Sequence, residues 1–380
     1  MGSVSVRSIP SRVILPASPP AHWVGNPPTH FVNPWQSAKH HSLLDVLHTR
    51  FGNNRNYVPI PETRDELVKV RQPDWGRTQH DWQAGLKCTW LGHASFLVEM
   101  PSTSRTSKES RGLRMLLDPV FSERTSPFTF LGPKRYTPTP CQLSDLPEID
   151  LIVISHDHYD HLDIHTVDYV CKKQAEAGRH VQVFAGLNNK HWFLHGGFGL
   201  RDQDVHECDW WDERQVDIEG LGSIKITCTP TQHNSGRTPF NAGSTLWCSW
   251  VIEDVDTGKK LYFAGDTAYK ATHTETPCPE FERIGQNFGP FDLSLLPIGL
   301  YSPRDFMSHL HTDPEGSLEI HKAIRSRKSI GMHYGTVRGG LSQHYEDVRE
   351  PPRRWQECCE KEGKWGSECG LCDVGETVVV

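Results

Sequence analysis

The stretch DLIVISHDHYDHLD, residues 150–163, decides how this chain is read. Its first half, Leu151 to Ile154, is an unbroken run of branched apolar residues, the pattern of a strand covered on both faces. Its second half carries His156, His158, Asp160 and His161 within six residues, too close together to share one helix face or one strand face. They fit a tight loop at a strand end, where α/β sheets carry their functional groups. Imidazole is the commonest metal ligand among side chains, so HxHxDH after a buried strand predicts a metal site rather than a solvated loop.

Three further predicted strands end in ligand-type residues. SIKITCTPTQH places His233 after a strand, KLYFAGDT places Asp266 in a turn, and SIGMHYG ends on His333. Singly, each reads as a cap or turn former. With the loop they make five His and two Asp, more than one tetrahedral zinc can use and suited to two adjacent ions sharing a carboxylate.

The rest of the chain is consistent with a large α/β protein. Its 380 residues can bury a sizeable core without staples. No run approaches the ~18 apolar residues of a membrane-spanning helix. Lys+Arg 40 against Asp+Glu 47 gives a net charge of −7 with no basic block, which argues against nucleic-acid binding. Eleven cysteines, mostly scattered singly, fit reduced thiols in an intracellular protein. The tail pairs Cys358, Cys359 and Cys369, Cys372 match a zinc ribbon poorly and read as part of a last helix and strand over 351–380.

Residues 1–44 lack Asp and Glu and are rich in Pro and Ser, which predicts a flexible lead-in segment, with a single domain over 45–380. An acidic-poor, Arg-bearing start admits mitochondrial association, although Pro10, Pro16, Pro19 and Pro20 spoil an amphipathic presequence helix. KCTWLGHASFLVEM, MLLDPV, VQVFAG, TLWCSWVIED and DLSLLPIG complete the predicted strands. Helical periodicity appears at 163–177 and at 313–325, where Asp313 can cap and Pro314 sits first. Runs of strands broken by helices predict two packed sheets with outer helices.

HxHxDH with a later His, an Asp in a GDT turn and a final His resembles the metallo-β-lactamase fold pattern. FVNPW (31–35), LLDPVFSERTSPFTFLGPKRY (116–136), FAGDTAY (263–269), FGPFDLSLLPIG (288–299), HTDPEGSLEIH (311–321) and MHYGT (332–336) narrow the match. Together they resemble the N-acylphosphatidylethanolamine-hydrolysing phospholipase D family, from about residue 30 onward. The resemblance implies an αβ/βα sandwich of two mixed sheets, two Zn²⁺ per chain, and release of N-acylethanolamine and phosphatidic acid from a membrane phospholipid. It implies that His156, His158 and His233 hold one zinc, that Asp160, His161 and His333 hold the other, and that Asp266 bridges. Asp118 in LLDP and His311 in HTDP match positions the family needs for activity.

Two zinc ions can lower the pKa of a bridging water toward ~7 and bind a phosphate oxygen, so a zinc-bridging hydroxide is the expected nucleophile. Asp160 borders it and can orient it. His311 is the candidate acid or phosphate contact at the leaving alkoxide, against a plain reading as a surface residue beside the Asp313 cap. Asp118 reads as support for a ligand histidine. The loop 121–136, with Phe121, Phe128, Phe130, Leu131 and Tyr136 among Arg124, Lys134 and Arg135, can dock on an anionic membrane or simply pack under itself. Peripheral association with the cytoplasmic face of a membrane follows from the substrate, and the resemblance is compatible with a homodimer. The alternative keeps the two zincs and changes the substrate to another ester, lactone or phosphodiester. Di-iron redox chemistry is disfavoured, because those members carry Glu where His158 stands. A non-catalytic binding protein would show degenerate ligands, and here all seven stand.

Overall fold

The run Leu151–Val153 is a strand with both faces buried: Leu151 and Val153 join one apolar cluster and Ile152 a second. Its neighbours repeat the alternation, Phe96 and Val98 against Leu97, Met115 and Leu117 against Leu116, Phe184 against Val183 and Ala185. Successive side chains point to opposite faces, so a sheet covered on both sides requires apolar residues at every position.

The computed structural model describes residues 3–380 except 15–18, 39–40, 53–54, 80–82, 103–110, 196 and 239. In chain order its strands begin with β1 (Val4–Ile9), β2 (Trp23–Val24), β3 (His30–Phe31), β4 (Lys87–Gly92), β5 (Ser95–Glu99), β6 (Arg114–Leu117), β7 (Leu151–Val153), β8 (Gln182–Gly186) and β9 (Val205–Cys208). They continue with β10 (Glu213–Ile218), β11 (Gly222–Thr229), β12 (Ser249–Asp254), β13 (Lys260–Phe263), β14 (Leu293–Pro297), β15 (Ser329–Met332), β16 (Cys369–Gly370) and β17 (Thr377–Val379). The helices are α1 (Leu43–Phe51), α2 (Ile164–Glu176), α3 (Lys190–Leu194), α4 (Glu280–Asn287), α5 (Arg304–Met307), α6 (Pro314–Ala323) and α7 (Glu350–Lys361).

One sheet runs β1-β10-β11-β12-β13-β14-β15-β16 and the other β17-β4-β5-β6-β7-β8-β9. Each is antiparallel in its first half and parallel in its second, the change falling at β13 and at β6. The larger apolar cluster joins both sheets through Trp90, Phe96, Trp250 and Phe263, and reaches α4, α6 and α7 through Phe281, Ile320 and Trp355. The second cluster lies between the seven-stranded sheet and α2 and α3, with Val167, Val170 and Phe193. This is the αβ/βα sandwich. Asp163 caps α2 by accepting from His165 N, and Asp313 caps α6 by accepting from Gly316 N with Pro314 at the first helical position.

Three expectations need correction. The flexible lead-in over 1–44 contains β1, the outer strand of the eight-stranded sheet, paired with β10 from Val4↔Ile218 to Ile9↔Glu213. Only Val6 and Ile9 of β1 are half-buried, so its apolar signal is thin, and the pairing comes from backbone bonds reinforced by Arg12 with Glu213 and Glu253. The tail over 351–380 holds a helix and two strands rather than one, β16 joining one sheet and β17 the other. The apolar stretch from Lys87 is a hairpin, β4 and β5, turning at His93 and Ala94. The polar stretch MPSTSRTSKESRG (100–112) lies largely outside the described residues, at 103–110. All eleven cysteines are unbridged.

Candidate metal centre

The ligand-type residues follow the ends of strands that point the same way. His93 follows β4, Asp118 follows β6, His156 to His161 follow β7, His233 follows β11, Asp266 follows β13 and His333 follows β15. His311 joins them from the segment before α6. Backbone geometry aims several of them: His93, Asp118 and His333 take the left-handed region at φ of 55°, 38° and 65°. Such conformations cost about 1–3 kcal/mol each and persist where the surroundings impose them. Gly265, at φ 57°, cannot carry a side chain, because a Cβ there would lie 2.5 Å from Ser155 Cβ.

All seven expected ligands meet. His158 Nδ1 lies 2.9 Å from His156 Nε2 and 3.3 Å from His233 Nε2. On the other side His161 Nε2 is 3.2 Å from His333 Nε2, and Asp160 Oδ2 is 4.0 Å from His333 Nε2. Asp266 stands between the two groups. Its Oδ2 is 3.2 Å from His161 Nε2 and 3.7 Å from His233 Nε2, and its Oδ1 is 3.0 Å from His333 Nε2. His311 Nδ1 is 3.8 Å from Asp266 Oδ2, its ring 5.0 Å from that of His233 and 5.5 Å from that of His333.

The second nitrogen of most rings is anchored. His161 Nδ1 donates to Asp118 Oδ2 at 2.6 Å, and His233 Nδ1 donates to the Leu310 carbonyl at 2.9 Å. His156 Nδ1 meets Ser155 Oγ at 2.9 Å, and that hydroxyl in turn donates to Asp118. Anchoring one nitrogen sets the tautomer and leaves the other with a lone pair toward the centre, the arrangement metal-binding histidines use. Asp118 therefore sits behind His161 rather than among the converging atoms.

The electrostatics call for positive charge. Burial penalises ionised Asp266, but His161, His333 and His311 outweigh it and hold the carboxyl well below its usual range. Burial and neighbouring imidazoles push His156 well below its ordinary value, and burial does the same to His233 against the pull of Asp266. Both rings are neutral, as ligands must be. Burial also opposes charge on His161, yet Asp266 and Asp118 drive it well above its ordinary value. A divalent cation answers the same carboxylates. Asp266 Oδ1 and His311 Nδ1 are buried without a hydrogen-bond partner among the described residues. Converging lone pairs, neutral imidazoles and ionised carboxylates fit metal binding.

The sequence reading passed over His93. Its Nε2 lies 3.1 Å from Asp160 Oδ2, and its ring is 4.0 Å from that of His333. It ends a strand in TWLGHAS as the other site residues end theirs, and that shared position was the available signal. In the loop after β6, Arg124 Nη1 donates to the Gly132 carbonyl and Arg135 Nη2 to that of Val120, so these cations hold the loop. Its tip is apolar and outward, with Phe130 77% and Leu131 60% exposed.

The sequence profile of the β-lactamase superfamily domain matches residues 113–334. N-acyl-phosphatidylethanolamine-hydrolyzing phospholipase D 1 of Caenorhabditis elegans is 37% identical over 70% of this chain and 69% of its own. N-acyl-phosphatidylethanolamine-hydrolyzing phospholipase D, mitochondrial, of Saccharomyces cerevisiae is 29% identical over 91% of this chain and 75% of its own. Among solved structures, a possible metal-dependent hydrolase from Veillonella parvula superposes with a TM-score of 0.56 at 17% identity, over 78% of this chain and 100% of that one. At that identity the superposition speaks for the fold alone.

Proposed function

The chain belongs to the β-lactamase superfamily and, within it, to the family of N-acylphosphatidylethanolamine-hydrolysing phospholipases D, and from that premise we propose that it cleaves N-acylphosphatidylethanolamine with two Zn²⁺ ions. That it is a metal-dependent hydrolase follows from the family. The observation that carries the two-metal reading is Asp266, a single buried carboxylate within 3.0–3.7 Å of imidazoles from both ligand groups.

His156, His158 and His233 would hold one ion, and Asp160, His161 and His333 the other, with Asp266 common to both. When bound, two such ions would supply an ionised water at neutral pH and the Lewis acidity that a phosphodiester requires. The protein's own groups do the rest. Asp118 fixes His161, Ser155 links Asp118 to His156, and the Leu310 carbonyl fixes His233. Asp160, held by His93, orients the attacking water. His311 overhangs Asp266 between the two groups, where a phosphate spanning them would lie, and it serves as a donor to a phosphate oxygen. The exposed tip Phe130–Leu131 suits docking on a lipid surface, and among the described residues no helix is long and apolar enough to cross a membrane. The cytoplasmic face of a membrane is the proposed location, with mitochondrial association suggested by the name of the yeast relative.

The test is product analysis. Zinc-loaded protein with N-acylphosphatidylethanolamine vesicles should release N-acylethanolamine and phosphatidic acid by mass spectrometry, and phosphatidylcholine should turn over far more slowly. Activity on soluble esters or lactones without lipid cleavage would favour the alternative substrate class.

A further inference from the structure

Asn33, in the FVNPW segment, donates from Nδ2 to the carbonyl of His233 at 2.7 Å. That bond fixes the orientation of the amide, because only nitrogen can face a carbonyl, and it turns Oδ1 the other way. Asn33 Oδ1 is a buried atom that accepts no hydrogen bond from any described residue, and the same holds for Asn234 Oδ1. The two residues are neighbours, since the carbonyl that Asn33 holds directly precedes Asn234. Both line a cavity of about 560 Å³ that reaches His233, its other walls carrying Phe31, Val46, Trp247 and Phe306 with the imidazoles of His41 and His309 and, among the described residues, no carboxylate.

Two unpaired acceptors in apolar walls define the chemistry of the occupant. It must bring an N–H or O–H donor, because a buried acceptor left unmet is costly. It must also be neutral and carry a long apolar portion, because an ammonium would bring a full charge into walls unable to pair it. A secondary amide attached to an acyl chain has all three properties. In an ethanolamide, two methylenes separate the leaving oxygen from the amide nitrogen, so the amide lies within about 5 Å of the scissile bond. Asn33 holds the backbone carbonyl of His233, and both residues line the same cavity.

We propose that Asn33 Oδ1, with Asn234 Oδ1 beside it, accepts the substrate's amide N–H, so that this cavity selects N-acyl amides over esters and over free amines. The inference rests on the phospholipid reading above. It gives the FVNPW segment two tasks, holding a ligand histidine by one end of Asn33 and reading substrate with the other. The apolar walls then take the N-acyl chain.

The test is binding rather than turnover. N-palmitoylethanolamine and its ester counterpart, 2-hydroxyethyl palmitate, differ at the amide N–H and are titrated into the zinc-loaded protein in detergent micelles. The amide should bind about 10–100-fold more tightly, the range for leaving a buried acceptor unmet. Asn33→Ala also releases the His233 carbonyl, so the amide-to-ester ratio is read rather than the affinity, and it should fall toward one. Asn234→Leu leaves that anchor in place and should lower the ratio as well. Equal affinities in the unaltered protein, or a ratio that survives both substitutions, would overturn the amide site. Hydrolysis of N-acylphosphatidylethanolamine without amide preference would overturn the site alone. Amide preference without hydrolysis would keep the site and overturn the phospholipase reading.

Discussion

Replacing Asp118 with Asn tests how the ligands are held. Asp118 is fully buried and accepts from Ser155 N at 2.7 Å, from Ser155 Oγ at 2.5 Å and from His161 Nδ1 at 2.6 Å. Asn keeps the shape but replaces one acceptor oxygen with a donor. The remaining oxygen still serves Ser155 N, and the Ser155 hydroxyl can turn to accept. His161 Nδ1 cannot keep its proton against an NH₂ group, so the proton moves to Nε2, the nitrogen aimed at Asp266 and His333. That nitrogen then has no lone pair for a metal. Loss of such a support costs about 10–100-fold in metal affinity, or roughly 1.4–2.7 kcal/mol. Zinc titration against a competing chelator should show one ion weakened by that factor, the other little changed, and thermal unfolding close to that of the unaltered protein. Asp118→Ala, by contrast, leaves Ser155 N and His161 Nδ1 without a partner while Ser155 Oγ keeps His156; each loss costs about 1–3 kcal/mol, and the variant should unfold at markedly lower temperature. An Asn variant that binds both ions as tightly as the unaltered protein would refute the reasoning.

Three further outcomes are expected. His311→Ala should keep both zinc ions by elemental analysis and lose on the order of 10²–10³ in turnover, as removal of a donor to developing charge does. The loss should be the same for an activated phenol leaving group; a smaller loss there would move His311 to the leaving oxygen, and loss of zinc would make it a ligand. Burial pushes Glu346 up to about 7 from its ordinary 4.5, against the N–H groups of residues 300–302. The folded value lies above the unfolded one, so this group's stability is full below pH 4.5 and is lost as pH rises through about 7. Urea unfolding should show stability relative to Glu346→Gln falling by about 3 kcal/mol between pH 4.5 and 8, and parallel pH profiles would contradict this. Phe130→Ser should weaken binding to anionic phospholipid vesicles at least about ten-fold, from the ~1.5–3 kcal/mol of burying such a ring. Hydrolysis of detergent-dispersed substrate should be unchanged, and unchanged vesicle binding would exclude the loop tip as the docking element.

The fold was legible where burial is two-sided. β5 to β8 and β12 to β15 announce themselves as apolar runs, because most positions on such strands are buried against a core on one face or the other. β1 and β10 escaped for the opposite reason. VSVRSI and ERQVDI lie in the outer part of their sheet with polar residues on much of their surface, so backbone pairing rather than periodicity defines them. β16 and β17 are two or three residues long, too short to show a period. The converging ligands were legible because each stands at a strand end and is of ligand type. His93 obeys the same rule but is alone in its turn, with no second ligand beside it. Asn33 was beyond sequence reasoning: it meets His233 across 200 residues, and an amide carries no sign of which carbonyl it will hold.

The central claim is that one carboxylate serves two ions, and metal-dependent activity tests it most directly. Protein stripped of metal is titrated with Zn²⁺, bound metal is counted by mass spectrometry, and N-acylethanolamine release is measured at each step. Binding should saturate at two ions per chain, with activity tracking the second, and Asp266→Asn should lose both the second ion and the activity. Full activity with a single ion bound, or an Asp266→Asn variant that keeps two ions and near-normal turnover, would contradict the account.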